Sequence, residues 1–165
     1  MADLKEAKRN PEKQLWEEIE DIHAGMLGID GSGQHMQPMA PYVDRDSRCI
    51  WFFTSRSSDL VEALGNGTKA HFTVVGEGHD YHACIAGRLT VNNDRRKIDE
   101  YWSPVVAAWY EKGKDDPEVT LLQFRPLDAA IWASPSSALR FGWEIAKANL
   151  TKSEPDIGVR NHVQF

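Results

Sequence analysis

Apolar residues recur at Leu15, Ile19 and Ile22, four and then three positions apart, with Trp16 and His23 beside them and acidic residues filling the other side. This spacing puts one apolar stripe on an α-helix. Asn10 and Pro11 give it a start: an N-cap residue, then a proline whose missing N–H the first turn would leave unpaired anyway. Gly25 marks its end. Past that glycine the pattern turns strand-like. Residues 26–29 are short and apolar, Asp30-Gly31-Ser32-Gly33 is a turn, residues 35–43 are extended, residues 44–47 turn, and residues 49–55 form a strand. The last two runs read as a hairpin. The first of them is unusual, because Pro38 and Pro41 stand where strand N–H groups should be.

A short helix is predicted over residues 59–64, closed by Gly65-Asn66-Gly67. Residues 70–75 and 81–91 make a second hairpin. Asp94 starts a helix that runs to Trp102 and halts at Ser103-Pro104, and a further helical piece covers residues 105–110. A polar loop over residues 112–118 leads to two strands, 119–125 and 128–133, parted by Pro126-Leu127. Ser136 or Ser137 caps a last helix through about Asn149, and residues 158–165 supply material for one terminal strand. Six or seven strands in hairpin order, with helices between and after them, predict a mainly antiparallel α+β barrel or sheet. No Gly-x-Gly-x-x-Gly follows a strand and there is no Walker loop, which excludes the common nucleotide-binding sheets.

The length of 165 residues predicts a single domain over residues 1–165, with a flexible N-terminus at 1–10 and a C-terminal helix and tail at 136–165. A net charge of −6 argues against nucleic acid and anionic membranes as partners. Cys49 and Cys84 are flanked by apolar residues and read as reduced thiols on strands. The polar start of the chain has no apolar secretory region, and no apolar run approaches a membrane span. A soluble, cytoplasmic protein is the expectation.

Candidate chemistry is sparse. The six histidines are His23, His35, His71, His79, His82 and His162, and none has partners at metal-ligand spacing, so no metal is expected. No nucleophile motif is present, and the acid-rich loop 114–118 reads as solvated. The six tryptophans are more informative. Core packing accounts for Trp51 and Trp143; Trp102 and Trp109, seven apart, share a face if the helix continues past Pro104, and would then pack internally or cover a ligand or partner. Phe53-Thr54-Ser55-Arg56-Ser57-Ser58-Asp59 delivers hydroxyls and one cation to a helix start. Two readings are open there. One is an anion site; the other is an N-cap at Ser58 or Asp59 with Glu62 completing a capping box. Asp59 repels a phosphate.

Pro38-Met39, a short loop, then Trp51-Phe52-Phe53-Thr54-Ser55 with a serine-rich helix start resembles the general stress protein 26 group of the pyridoxamine 5′-phosphate oxidase-like split barrels. Ile85-Ala86-Gly87 is similar to a strand motif of that family, as Tyr101-Trp102-Ser103-Pro104 is to its Leu-Trp-x-Pro. Residues 109–117 are similar to its Trp-Phe/Tyr-x-x-Gly-x-x-Asp-Pro, and Leu121-Leu122 and Ala130-Ile131-Trp132 to its later strands. The ordered series, over roughly residues 10–135, is the specific feature.

The resemblance implies a homodimeric six-stranded split β-barrel with flanking helices, holding FMN, with FAD as the other flavin, at the subunit interface. It implies Gln37, Pro38, Met39 and Ala40 beside the isoalloxazine edge, Phe53 and Thr54 against the ring or ribityl chain, and Ser55, Arg56, Ser57 and Ser58 near the phosphate. Trp102, Trp109 or Trp132 would come from the neighbouring chain. Gln37 replaces the family's arginine, and Tyr42, Asp59 and Leu60 stand where pyridoxamine phosphate oxidases are basic. Those four changes cost a few kcal/mol, on the order of several powers of ten in phosphate affinity. The expectation is therefore a flavin-dependent oxidoreductase or flavin reservoir, without pyridoxamine phosphate oxidase activity and with no assignable catalytic residue. Two alternatives stay open: a barrel without FMN that holds haem or another cofactor through His35, His71, His79 or His82, and a ligand-free, stress-associated interaction protein.

Overall fold

The computed structural model describes residues 3–65, 67–135, 138–151 and 158–165. Its strands are β1 (Gly25–Ile29), β2 (Gln37–Met39), β3 (Tyr42–Asp44), β4 (Cys49–Ser55), β5 (Thr68–Val75), β6 (Tyr81–Val91), β7 (Val119–Ala133) and β8 (Val159–Gln164). The α-helices among the described residues are α1 (Leu4–Arg9), α2 (Pro11–Asp21), α3 (Asp59–Ala63), α4 (Arg95–Tyr101), α5 (Pro104–Ala107) and α6 (Ala138–Thr151). All strand pairings are antiparallel, in the order β2-β1-β5-β6-β7-β4-β3, with β8 also on β7.

That order fixes the shape. β2 and β3 stand at opposite ends of the sheet, yet only Ala40 and Pro41 separate them in the chain. So short a link spans about 10 Å at most. The two ends must therefore meet, and the sheet curls into a barrel. Its last seam is a peptide link and not a hydrogen-bonded ladder, which makes the barrel split. The prolines explain the seam. Residues 35–43 are not one arm of a hairpin with β4, as the sequence suggests. They divide into β2, which pairs with β1, and β3, which pairs with β4. Pro41 falls between them, where no ladder N–H is needed.

The mainly antiparallel α+β split barrel matches the sequence reading, and the pairing resolves eight strands. Residues 119–133 form a single strand, not two. The N-terminal part of β7 pairs with β4, its C-terminal part with β8, and β6 runs along both. Pro126 is tolerated because the register shifts beside it: Ala86 faces Asp128 and Gly87 faces Pro126, leaving Leu127 without a partner on β6. This is a bulge, where a missing donor costs little. Gly87 is needed there, since a Cβ would clash with the Arg125 carbonyl oxygen.

The main core lies between the barrel strands and the helices α1, α2 and α3, and includes Leu15, Ile19, Leu27, Phe52, Leu60, Phe72 and Ile85. A second core lies on the other face of β4, where Cys49 and Trp51 meet Ile98 of α4 and Val106 of α5. Within the N-terminal segment, Leu4–Arg9 form α1. Asp3 caps it by accepting from the N–H groups of Lys5 and Glu6, and Ala7 is buried. Only one residue of that helix is buried, so its sequence carries no apolar stripe. The terminal strand β8 forms as expected, and Phe165 meets the Trp16 ring edge-on at 5.5 Å. Trp143 is 69% exposed on α6, not part of a core. Ser136 and Ser137, the candidate caps of α6, lie outside the described residues, as do Asn66 and the side chain of Phe141. No helix among the described residues is long and apolar enough to cross a membrane.

Candidate functional site

A cleft of about 490 Å³ opens along the barrel seam. One wall is backbone-rich: Pro38, Met39 and Ala40 lead out of β2. The floor is the end of β4, where Phe53, Thr54 and Ser55 emerge from the sheet. Tyr42 of β3 adds to it, and Val105, Val106, Trp109 and Tyr110 supply the opposite wall.

Aromatic contacts hold this wall in place. Phe53 meets Tyr42 edge-on at 5.5 Å and Trp102 at 5.9 Å, and Trp102 lies 5.9 Å from Tyr110. The Tyr110 hydroxyl donates to the Thr54 carbonyl oxygen at 2.8 Å. Burial pushes that phenol up to about 12, so it keeps its proton. Behind the cleft, Lys97 of α4 pairs with Asp44 of β3 at 2.8 Å and with Glu100 at 2.8 Å. Burial opposes the charge on Asp44, but bonds from Lys97 and Ser47 prevail and hold the carboxyl down to about 2. The pair fastens the helical wall to the barrel edge.

The two ends of the cleft differ. The end formed by Pro38, Met39, Phe53 and Val106 is apolar. The other end carries the hydroxyls of Thr54 and Ser55, and these are already engaged by the turn that follows. Ser55 Oγ and Ser57 Oγ both donate to Glu118 Oε2, the latter at 3.0 Å, and the Ser57 N–H donates to the same oxygen at 3.3 Å. Hydrogen bonds from Ser55 and Ser57 hold the Glu118 carboxyl below the usual carboxylate range. Thr54 Oγ1 donates to Ser58 Oγ at 3.0 Å, and Ser58 Oγ accepts from the Val61 N–H. Ser58 is thus the N-cap of α3. Its own N–H goes to the Ser55 carbonyl oxygen, so Glu62 does not complete a capping box. Arg56 is exposed and ties the loop through its backbone N–H to the Glu118 carbonyl oxygen at 2.9 Å.

Residues 10–156 match the family model described as pyridoxamine 5′-phosphate oxidase like. The chain belongs to that family. Among solved structures of similar fold, a general stress protein 26 from Jannaschia sp. CCS1 is 37% identical, with 95% of this chain and 99% of that chain covered and a TM-score of 0.80. A general stress family protein from Xanthomonas campestris pv. campestris is 40% identical over 83% of this chain and 93% of its own, with a TM-score of 0.72. A general stress FMN/FAD binding protein from Xanthomonas citri is 38% identical over 78% of this chain and 92% of its own, also at 0.72. No curated protein matches the chain.

Six of the residues expected beside the ligand, Pro38, Met39, Ala40, Phe53, Thr54 and Ser55, line one cleft, and Trp109, expected from a neighbouring chain, lines the same cleft within its own chain. Gln37 sits next to them at the start of β2. Arg56, Ser57 and Ser58 continue the chain past the hydroxyl end. Trp102 and Trp109 do not share a helix face, because Ser103 and Pro104 start a new helix; Trp102 packs behind the wall and Trp109 stands on its rim. Trp132 does not line this cleft. It lies on β7 beside Arg160, whose guanidinium is 6.0 Å from the ring centroid. No histidine is among the residues lining the cleft, and His71 is held by Asp30 at 2.7 Å. No three potential metal ligands converge among the described residues. Sequence reasoning did not place Val105, Val106 and Tyr110 in the cleft or Glu118 beside it, and named Tyr42 only as a position that is basic in pyridoxamine phosphate oxidases. Tyr110 was within reach, since it falls inside the family-like run 109–117. Glu118 was not, because one carboxylate at the end of an acidic loop looks solvated.

Proposed function

We propose that this chain is a flavin-binding protein of the general stress type, a homodimer whose two interface clefts hold FMN or FAD, serving as a flavin-dependent oxidoreductase or a flavin reservoir. The observation that carries the reading is the seam cleft itself. Its volume falls within the ~300–1,000 Å³ range of small-molecule sites, and its apolar end offers flat surfaces to a ring system. Pro38 has no N–H, so the backbone there can approach a flat ring without leaving a donor unpaired. The similarity to a protein named for FMN/FAD binding supports the choice of ligand.

Dimerisation is supported by the rim. Val105 is 72% and Trp109 81% exposed beside one another in the cleft wall, an apolar surface suited to cover by a second subunit. A bound flavin would supply electron and hydride transfer, and the protein its orientation and shielding from water. The titratable side chains lining the cleft are Tyr42 and Tyr110, and Tyr110 is held protonated, so no acid–base pair is assigned. Oxidation of pyridoxamine 5′-phosphate is not part of this reading, given Gln37, Tyr42, Asp59 and Leu60. The cytoplasm is the compartment it expects, with Cys49 and Cys84 as free thiols.

The test is an absorption spectrum and an FMN titration of apoprotein, with the mass in solution measured alongside. Saturable binding with a band near ~450 nm and a dimeric mass are expected. A monomer that binds no flavin would overturn the reading. Arg56→Ala should weaken FMN binding several-fold, roughly the loss of one exposed charge-assisted contact; unchanged affinity removes Arg56 from the phosphate.

A further inference from the structure

The hydroxyl end of the cleft is where any ionic or polyol part of a ligand must go, since the opposite end is apolar. Glu118, bonded to Ser55 of the cleft lining, sets an anion beside that end. A serine hydroxyl has one proton to donate. Those of Ser55 and Ser57 both go to Glu118 Oε2, together with the Ser57 N–H, and the Thr54 proton goes to Ser58. The donors that would greet a phosphate are committed to a carboxylate of the same chain. A phosphate arriving there meets a like charge and, at Thr54, Ser55 and Ser57, hydroxyls whose protons are already directed elsewhere. A sugar-alcohol chain meets something different: the exposed Glu118 carboxylate can accept from its hydroxyls, and the serine oxygens can accept as well.

We infer that Glu118 is a specificity-determining residue of the cleft, which holds the hydroxyl end against phosphate and favours the neutral polyol tail of riboflavin over the phosphorylated tail of FMN. The inference rests on the flavin reading above. It concerns only the far end of the ligand, not the ring. Arg56, on the same turn, offsets the exclusion in part.

The experiment titrates riboflavin and FMN, by quenching of flavin fluorescence, into the full chain and its Glu118→Gln, Glu118→Ala and Asp59→Asn variants. Glu118→Gln removes the charge and keeps an acceptor. Glu118→Ala also frees both serine protons. The wild type should bind FMN no more tightly than riboflavin. FMN affinity should rise about tenfold in Glu118→Gln and further in Glu118→Ala, the scale of one like charge at close range, with riboflavin unchanged within about twofold. Asp59→Asn, which removes the neighbouring carboxylate of the turn, should have a smaller effect. The inference is overturned by a wild type that prefers FMN tenfold or more, by equal changes for both flavins in the Glu118 variants, by weaker FMN binding in them, or by an equal response to Asp59→Asn. Binding of neither flavin to any of the proteins would overturn the flavin reading, and this inference with it.

Discussion

β4 presents apolar residues on both faces, and the two faces meet different surroundings. On one, Ile50 and Phe52 are fully buried, and Phe52 meets Phe72 edge-on at 5.0 Å within the main core. On the other, Cys49 and Trp51 are covered by α4 and α5, but the cover thins along the strand. Phe53, further along this face, is half-buried, and Ser55 after it opens into the cleft. One strand thus serves as a wall of the core and as a floor of the site. A core face must be sealed along its whole length, whereas a site face has to stop being sealed at a chosen residue. Here the change comes at Phe53, where the seam parts the barrel edge from the helical wall.

Three substitutions probe this difference. Phe52→Ala should destabilise the protein most, by about 3–5 kcal/mol, through a cavity in the closed core; denaturant midpoints measure it, and a loss below ~1 kcal/mol would mean that this face is not sealed. Asp44→Asn acts on the cover of the other face and should cost about 1.5–3 kcal/mol, the range for a hydrogen bond to a charged group. Its pH dependence has a definite sign. The folded carboxyl titrates at about 2, below its unfolded value, so its contribution is full above the ordinary carboxylate range and fades as pH falls through 2. Melting curves of wild type and Asp44→Asn should therefore differ at neutral pH and converge in strong acid; a gap that persists there would contradict the assignment. Trp109→Ala should change stability of the isolated subunit by less than ~0.5 kcal/mol, since the side chain is exposed. It should nevertheless weaken dimerisation or flavin binding, read by sedimentation and titration; an unchanged dimer with unchanged affinity would make the rim an ordinary surface.

The same contrast marks what the sequence revealed. The closed face was legible: the hairpin of β5 and β6, the stripe of α2 and the apolar run of β4 each stand out in the chain. The seam was legible in part. Pro38 and Pro41 announced a defect but not its meaning, because a proline says where a hydrogen bond is missing and not which strands lie on either side. Pro126 misled in the opposite direction. It looked like a break, and the bulge opposite Gly87, far away in the chain, absorbs it. Helix α1 left no trace, since one buried alanine makes no pattern. Family likeness pointed to six of the residues that line the cleft, while Glu118 was invisible: its contact comes from lying across the ladder from Ser55, through the Ser55–Val119 register.

The link at Ala40 and Pro41 has a mechanical meaning. β2 and β3 are each three residues long, the shortest strands of the sheet, so the barrel is fastened most lightly where its two ends meet. A ligand in the cleft would lie between Pro38 and Met39 on one side of that junction and Phe53 and Thr54 on the other. It would work as a clasp, joining edges that the backbone leaves unlaced. Occupancy and closure of the barrel are then one event: whatever loosens the junction loosens the grip on the ligand, and a filled cleft braces the fold at its least supported line.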